Sequence, residues 1–494
     1  MRAGPRAALA AALALGLLAA TPAWGVKRAR HRRGAPQLPT ISVDVGTAAA
    51  RRPVAPEFLG MSFEVASLPQ LGAYADSGDL VALLRSLGPG LLRFGGVTAD
   101  TRVVWSDAVT PAAPWAAQSI GTGDLENLAV LAERTGWHVL LTLGLGHFEP
   151  RAAAREAAAA RSALGPWLAG IEIGNEPNGY PVEHLRGEPW GFLQYSEQVN
   201  AYRAAIEAAA PGIPLVGPDT AGSSAYFANW GYAEAVDQRP ALLTGHHYAL
   251  RCVQTPPPSI PLLLDRRTRA RALVSLRAYE TVAEMSETPF RLDETNTVSC
   301  GGVSGISNTF ASALWAVSYL VQAMFVGVDG INLQGNPGNC VGYTPICAPS
   351  AERLARGELG AQPEWYALLM TKALIGDVPL STTTSRADQP NVEVATLRAP
   401  DGALHAVIVD DDPTGSRGAV VKLHVGRSFA RAALEWLRAG SLSARAGVTL
   451  GGRAVGADGE WQPSPRFPHV RNRNGVIAVT IPPASACLAT IVPR

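Results

Sequence analysis

Eight times between residues 56 and 376, a short apolar run gives way to a stretch of helical character. The runs are FLGMSFE, GLLRFGG, HVLLTLGLG, AGIEIGNEP, IPLVGPD, LLTGHHY, PFRLDE and GINLQG. Among the stretches between them, residues 124–135, 195–210, 269–284 and 310–325 read as helices. A strand that is apolar along nearly its whole length must be covered on both faces, and helices provide that cover in a parallel sheet. Eight such units predict an α/β fold, a (β/α)8 TIM barrel. A doubly wound sheet would call for a G-x-G-x-x-G phosphate loop after the first strand, and none stands there.

Past about residue 380 the texture changes. NVEVATLRAP, ALHAVIVDDD, AVVKLHV, GVIAVTIPP and ACLATIV are short strand-like runs divided by Gly, Pro and Asp turns, the pattern of an additional C-terminal β-sandwich domain. TISVDVG, ahead of the barrel region, reads as one more strand and is expected to join that sheet. The expected map is a leader over 1–25, a basic linker over 26–37, an N-terminal strand segment over 38–55, a catalytic barrel over 56–376 and a sandwich over 377–494.

The leader has a basic start, an apolar run over 7–20 and small residues through TPAWG, as a secretory signal does. The run is short for a membrane span, and no other stretch reaches about 18 uninterrupted apolar residues. The expected location is therefore secreted, periplasmic or cell-surface, with no membrane span after signal cleavage. With 47% hydrophobic and 17% charged residues, the chain can bury a large core. Setting aside the seven basic residues of the leader and linker (Arg2, Arg6, Lys27, Arg28, Arg30, Arg32 and Arg33) turns the formal charge of +1 into −6. A mildly acidic body argues against nucleic acid as a partner. Of the five cysteines, Cys340 and Cys347 flank a short loop and form the first candidate disulfide. Cys252 and Cys300 form the second, leaving Cys487 over. No CxxC or Cys/His cluster at ligand spacing is present, so a structural zinc site is not expected.

The chemistry concentrates where the apolar runs end. In a (β/α)8 barrel the C-terminal strand ends converge on one mouth. The first run ends at Glu64, the fourth at Asn175–Glu176, the sixth at His246, His247 and Tyr248, and the seventh at Asp293–Glu294. Two carboxylates facing each other across a mouth are what glycoside hydrolysis requires: one gives a proton to the leaving oxygen, the other stabilises or attacks the anomeric carbon. Hydrolysis by two carboxylates would need neither a metal nor an organic cofactor. Asn175 would offer its amide to a sugar 2-hydroxyl. His246 and His247 are adjacent on a strand and point opposite ways. Arg93, in the second run, either reaches the mouth or pairs with an acid inside the barrel. Trp105, Trp115 and Trp190 are assigned no role.

LLRFGGVTAD, IEIGNEPNGY, HHY, LDETNTVSCGGVSGISNTFASALWA and PEWYALLMTKALIG together resemble glycoside hydrolase family 79, the β-glucuronidases and heparanases, within the clan of retaining (β/α)8 glycosidases. The resemblance implies Glu176 as acid/base and Glu294 as nucleophile, with Glu64, Thr98, Asn175 and Tyr248 contacting the sugar. It also marks a departure. Where the family's glucuronidases place Tyr and Gly to hold the sugar carboxylate, this chain has Ser299 and Cys300. Tyr343 matches the family's second carboxylate-binding tyrosine, and Gln334 stands where relatives carry a histidine. The expected protein is an exported retaining exo-β-glycosidase, a β-glucuronidase acting on a glycoside or on an oligo- or polysaccharide. The alternatives are a β-glucosidase, β-xylosidase or galactosidase of the same clan, or a carbohydrate-binding protein without catalysis.

Overall fold

The computed structural model describes residues 37–109, 111–222, 224–385 and 391–494. The expected leader and all but the last residue of the basic linker lie outside the described residues.

Eight parallel strands close into a barrel: β1 (Leu59–Glu64), β2 (Leu91–Gly95), β3 (His138–Leu143), β4 (Leu168–Ile173), β5 (Leu215–Thr220), β6 (Leu242–Leu250), β7 (Phe290–Val298) and β8 (Gly330–Gly335). Each corresponds to one of the eight apolar runs, paired in chain order, with β8 returning to β1. Helices including Thr122–Thr135, Phe192–Ala209, Arg266–Ser286 and Phe310–Val326 cover the outside. The outward faces of the first three are mostly polar, Leu193, Val274 and Met285 apart, whereas Phe310–Val326 is apolar almost all round and buried along nearly its whole length. Such a helix needs cover on every side. The second domain supplies the missing side: the N–H groups of Phe310 and Ala311 donate to the carbonyls of Ala444 and Leu442.

That second domain is a ten-stranded sheet curled over its own apolar core. The strand Thr40–Ala49 lies inside it, antiparallel to Val378–Thr384 and parallel to Ala419–His424. Ile41 and Val43 point into the sandwich core with Ile408, Val421, Val479 and Ile491. The other face packs on the barrel helices, so Val407, Val409 and Leu488 belong to the same continuous core as the barrel. The sequence pattern missed Phe429–Arg438, FARAALEWLR. Its Ala, Leu, Glu and Arg favour a helix, but pairing with Ser485–Pro493 along its length makes it a strand. Tertiary context overrides a weak local preference here.

Among the described residues no helix is long and apolar enough to cross a membrane. Both expected disulfides form, Cys252–Cys300 and Cys340–Cys347, and Cys487 is a buried free thiol.

Because Ile41 is buried in the sandwich core, Ile41→Ala is expected to cost about 2–5 kcal/mol of stability. A denaturant melt should show this as a lower midpoint; an unchanged midpoint would mean that the N-terminal strand is dispensable.

Candidate active site

The strand ends are not regular, and their irregularities aim the side chains. In β7 the register shifts against both neighbours around Asp293. Alternation would send Asp293 and Glu294 to opposite faces; the bulge turns both toward the barrel axis. At the end of β5, Asp219 takes φ +56°, and past β4, Glu176 takes φ +50°. A left-handed backbone is uncommon outside glycine and persists only where neighbours enforce it. For Glu176 the enforcing group is Asp100. Its buried carboxylate accepts from the backbone N–H groups of Leu145, Gly146 and Asn175 and from the Tyr180 hydroxyl. Trp190 stacks on Tyr180 and donates to the Pro177 carbonyl, closing the turn from outside.

Beneath the mouth sits Arg93, fully buried. Its Nε faces Glu172 and Asp293, each at 3.0 Å. Its Nη1 donates to Glu294 Oε2 at 2.9 Å and to Ser62 at 3.1 Å. Its Nη2 donates to Asp219 at 2.7 Å and to Asn175 at 3.0 Å. Of the two roles the sequence allowed, the arginine is thus the one inside the barrel. Burial opposes its charge, but Asp219, Glu172, Asp293 and Glu294 outweigh that and raise its pKa well above the usual value. The carboxylates divide accordingly. Asp219, buried but held by Arg93 and His246, falls to about 2. Asp293, buried and crowded by Glu172 and Asp219, is raised well above the usual range.

His246 joins this layer to the two glutamates at the mouth. Its Nδ1 lies 2.7 Å from Glu176 Oε1 and its Nε2 2.6 Å from Asp219 Oδ1. Burial disfavours the imidazolium, yet Asp219 and Glu294 overcome it and raise the pKa well above normal. His247 faces the other way, against Tyr319; burial lowers its pKa to about 4. One ring nitrogen of His246 and one oxygen each of Glu176 and Glu294 all lie within 4.8 Å of one another. Glu294 is nearly buried and receives Arg93 and the Tyr248 hydroxyl, at 2.7 Å; Glu176 keeps 25% of its side chain exposed. The atoms of Asp219, His246 and Asp293 are equally close. That spacing suits a cation, and the charged groups standing there are His246 and the Arg93 guanidinium.

The other residues singled out from sequence divide into two groups. Glu64 accepts from the Thr98 hydroxyl at 2.6 Å and its N–H at 2.9 Å, so Thr98 holds Glu64. The Asn175 oxygen is engaged by Arg93, and the Tyr343 hydroxyl lies 3.1 Å from that of Tyr248. Gln334 is buried opposite Ser62 in register, and its Oε1 meets no donor among the described residues. Ser299 and Cys300 are engaged elsewhere. The Ser299 hydroxyl accepts from the Cys252 N–H at 3.0 Å, and the sulfur of Cys300 is bonded to Cys252. Arg93, Asp100, Asp219 and His246 are the residues sequence reasoning did not place in the site. Of these His246 carried a signal, its position at a strand end, and Arg93 another, a charge inside an apolar run with two roles open to it; Asp100 and Asp219 carried none.

No family model matches the chain, and no curated protein does. Solved structures do. The fold is similar to that of a 4-O-α-L-rhamnosyl-β-D-glucuronidase from Fusarium oxysporum 12S, with 19% identity over 91% of this chain and 100% of that one, at a TM-score of 0.70. It is also similar to a family 51 arabinofuranosidase from Xanthomonas axonopodis pv. citri, with 14% identity over 92% and 100% of the two chains, at a TM-score of 0.63. A family 44 xyloglucanase from Paenibacillus polymyxa gives 11% identity, 92% and 100% coverage, and a TM-score of 0.58. The fold is one that glycoside hydrolases share.

Behind β7, Glu364 is fully buried and accepts from Asn296 at 3.1 Å. Burial raises its pKa from 4.5 to about 8, against the lowering effect of Asn296. The folded protein therefore holds a proton that the unfolded chain releases, and stability falls as pH rises from about 4.5 to about 8. Glu364→Gln is expected to remove this contribution, matching wild type near pH 4 and exceeding it near pH 8 in denaturant melts. Parallel pH profiles for the two proteins would contradict the assignment.

Proposed function

We propose that this chain is a retaining β-glycosidase, with Glu294 as nucleophile and Glu176 as acid/base. The observation that carries the reading is that one oxygen of each carboxylate lies within 4.8 Å of the other at the mouth of a closed barrel. Retaining enzymes hold this pair about 5–5.5 Å apart, whereas inverting ones leave ~6.5–9.5 Å for a water between them. The surroundings support the division of labour. Glu294 accepts from Arg93 and Tyr248, which suits an anion poised for attack. Glu176 is the more exposed partner and shares a hydrogen bond with His246, as suits a group that trades protons with a leaving oxygen and then with water. In this reading Glu294 attacks the anomeric carbon while Glu176 protonates the departing oxygen. Glu176 then takes a proton from water, which releases the sugar with its β configuration kept.

The sugar we propose is a β-glucuronide. Family resemblance supports this, as does the likeness of fold to an enzyme named for a β-D-glucuronide, and Tyr343 stands beside Tyr248 and Glu294. One observation favours a neutral β-glycoside instead: Ser299, at the place of a carboxylate-holding phenol, has its hydroxyl turned to Cys252. We also propose export, supported by the sequence of the leader and by two disulfides, which persist in oxidising compartments.

Proton NMR of the first sugar released should show the β-anomer; the α-anomer would overturn the retaining assignment. Glu176→Gln should slow hydrolysis about 10²–10⁴-fold for a poor leaving group and much less for dinitrophenol. Aryl β-glycosides differing only at C6 should be turned over fastest with a carboxylate there. A preference for hydroxymethyl or hydrogen would transfer the reading to the neutral sugars.

A further inference from the structure

Ser299 and Cys300 offer no phenol to a sugar, yet they are built into the wall beside it. Cys252 follows β6 and Cys300 follows β7, so their disulfide joins neighbouring loops. Two hydrogen bonds reinforce it: the Ser299 N–H donates to the Leu250 carbonyl, and the Cys252 N–H to the Ser299 hydroxyl, each at 3.0 Å. Directly after Cys300, the Gly301 carbonyl accepts from the Tyr343 N–H at 3.2 Å. There is no room between these two backbones. A Cβ on Gly342 would stand 2.1 Å from the Gly301 oxygen, and one on Gly302 would stand 2.4 Å from the Tyr343 nitrogen. The Tyr343 loop is itself closed by Cys340–Cys347. At its tip the Tyr343 ring stacks on Tyr248, and the hydroxyls lead on to Glu294.

We propose that the Cys252–Cys300 disulfide is a specificity element of the sugar pocket, fixing the Tyr343 phenol through the Gly301–Tyr343 backbone contact. The inference rests on the glycosidase reading above. The bridge is a positioning device: it touches no reacting atom, but it sets where the phenol beside the nucleophile stands. The phenol missing from position 299 is thereby replaced by a rigid backing for the tyrosine that remains.

Three variants test this: Cys252→Ser/Cys300→Ser, Gly342→Ala and Tyr343→Phe, alone and with Tyr343→Phe added to each of the others. Gly342→Ala keeps both disulfides and drives a methyl group against Gly301, so it carries the test if the double serine variant does not fold. Thiol titration and melting curves establish which proteins are folded and bridged; kcat and KM are then measured on aryl β-glycosides differing at C6. Both wall variants should raise KM for the preferred sugar about 10–100-fold and blunt the preference at C6. Adding Tyr343→Phe to either should cause little further loss, because the substitutions act through one phenol. A folded wall variant with wild-type KM and preference would overturn the proposal, as would penalties that multiply with Tyr343→Phe. Wild-type protein inert on every aryl β-glycoside would instead overturn the glycosidase reading, and this inference with it, before any variant is compared.

Discussion

A single guanidinium beneath the barrel mouth has four carboxylates around it, and the site is organised by that contact. Arg93 rises from β2 and reaches groups on β1, β4, β5 and β7. The planar fork of an arginine offers five donors in fixed directions, which an ammonium does not. One positive charge does not balance four negative ones in a dry interior. Two shifts offset the excess: burial with Glu172 and Asp219 pushes the Asp293 carboxyl well above its usual range, and Asp219 and Glu294 push the His246 imidazole well above its own. Removing one partner from a buried ion cluster ordinarily costs about 3–5 kcal/mol, because the others are left uncompensated. The same contacts fix geometry: Arg93 holds Glu294 directly, and it holds Glu176 indirectly through Asp219 and His246.

Local strain at the strand ends follows from this demand. Adjacent Asp293 and Glu294 both face the axis only because β7 bulges, and Glu176 and Asp219 take left-handed backbones that glycine would adopt more readily. Such conformations need over-determination, and Asp100 supplies it for Glu176 with three backbone N–H groups and a phenol. The (β/α)8 frame with its docked sheet is the rigid body against which these local costs are held. A carboxylate pair at a set distance is thus a property of the whole frame, although its members are far apart in the chain.

The alternation of apolar runs with helical stretches made the barrel legible, since a strand buried on both faces has few ways to be covered. Strand ends rich in Asn, Glu, His and Asp pointed to the mouth. Arg93 was seen in the sequence, but LLRFG does not say which acids converge on it from other strands. Asp219, in VGPDT, looks like a turn residue, and Asp100 like one more polar residue in a short helix. Of His246 and His247, alternation requires opposite directions without saying which faces inward. Phe429–Arg438 was illegible for another reason: its composition favours a helix and only its partners make it a strand. Ser299 and Cys300 drew notice as a departure, but their use as backing for Tyr343 depends on a disulfide and a backbone contact that no local pattern encodes.

The proposed mechanism turns on one carboxylate forming a bond to carbon. A 2,4-dinitrophenyl 2-deoxy-2-fluoro-β-glycoside of the sugar turned over fastest should inactivate the protein with release of one equivalent of dinitrophenol. Peptide mass spectrometry should then find the fluoro-sugar on Glu294. A label on Glu176 or any other residue, or continued turnover without a trapped sugar, would contradict the mechanism proposed here.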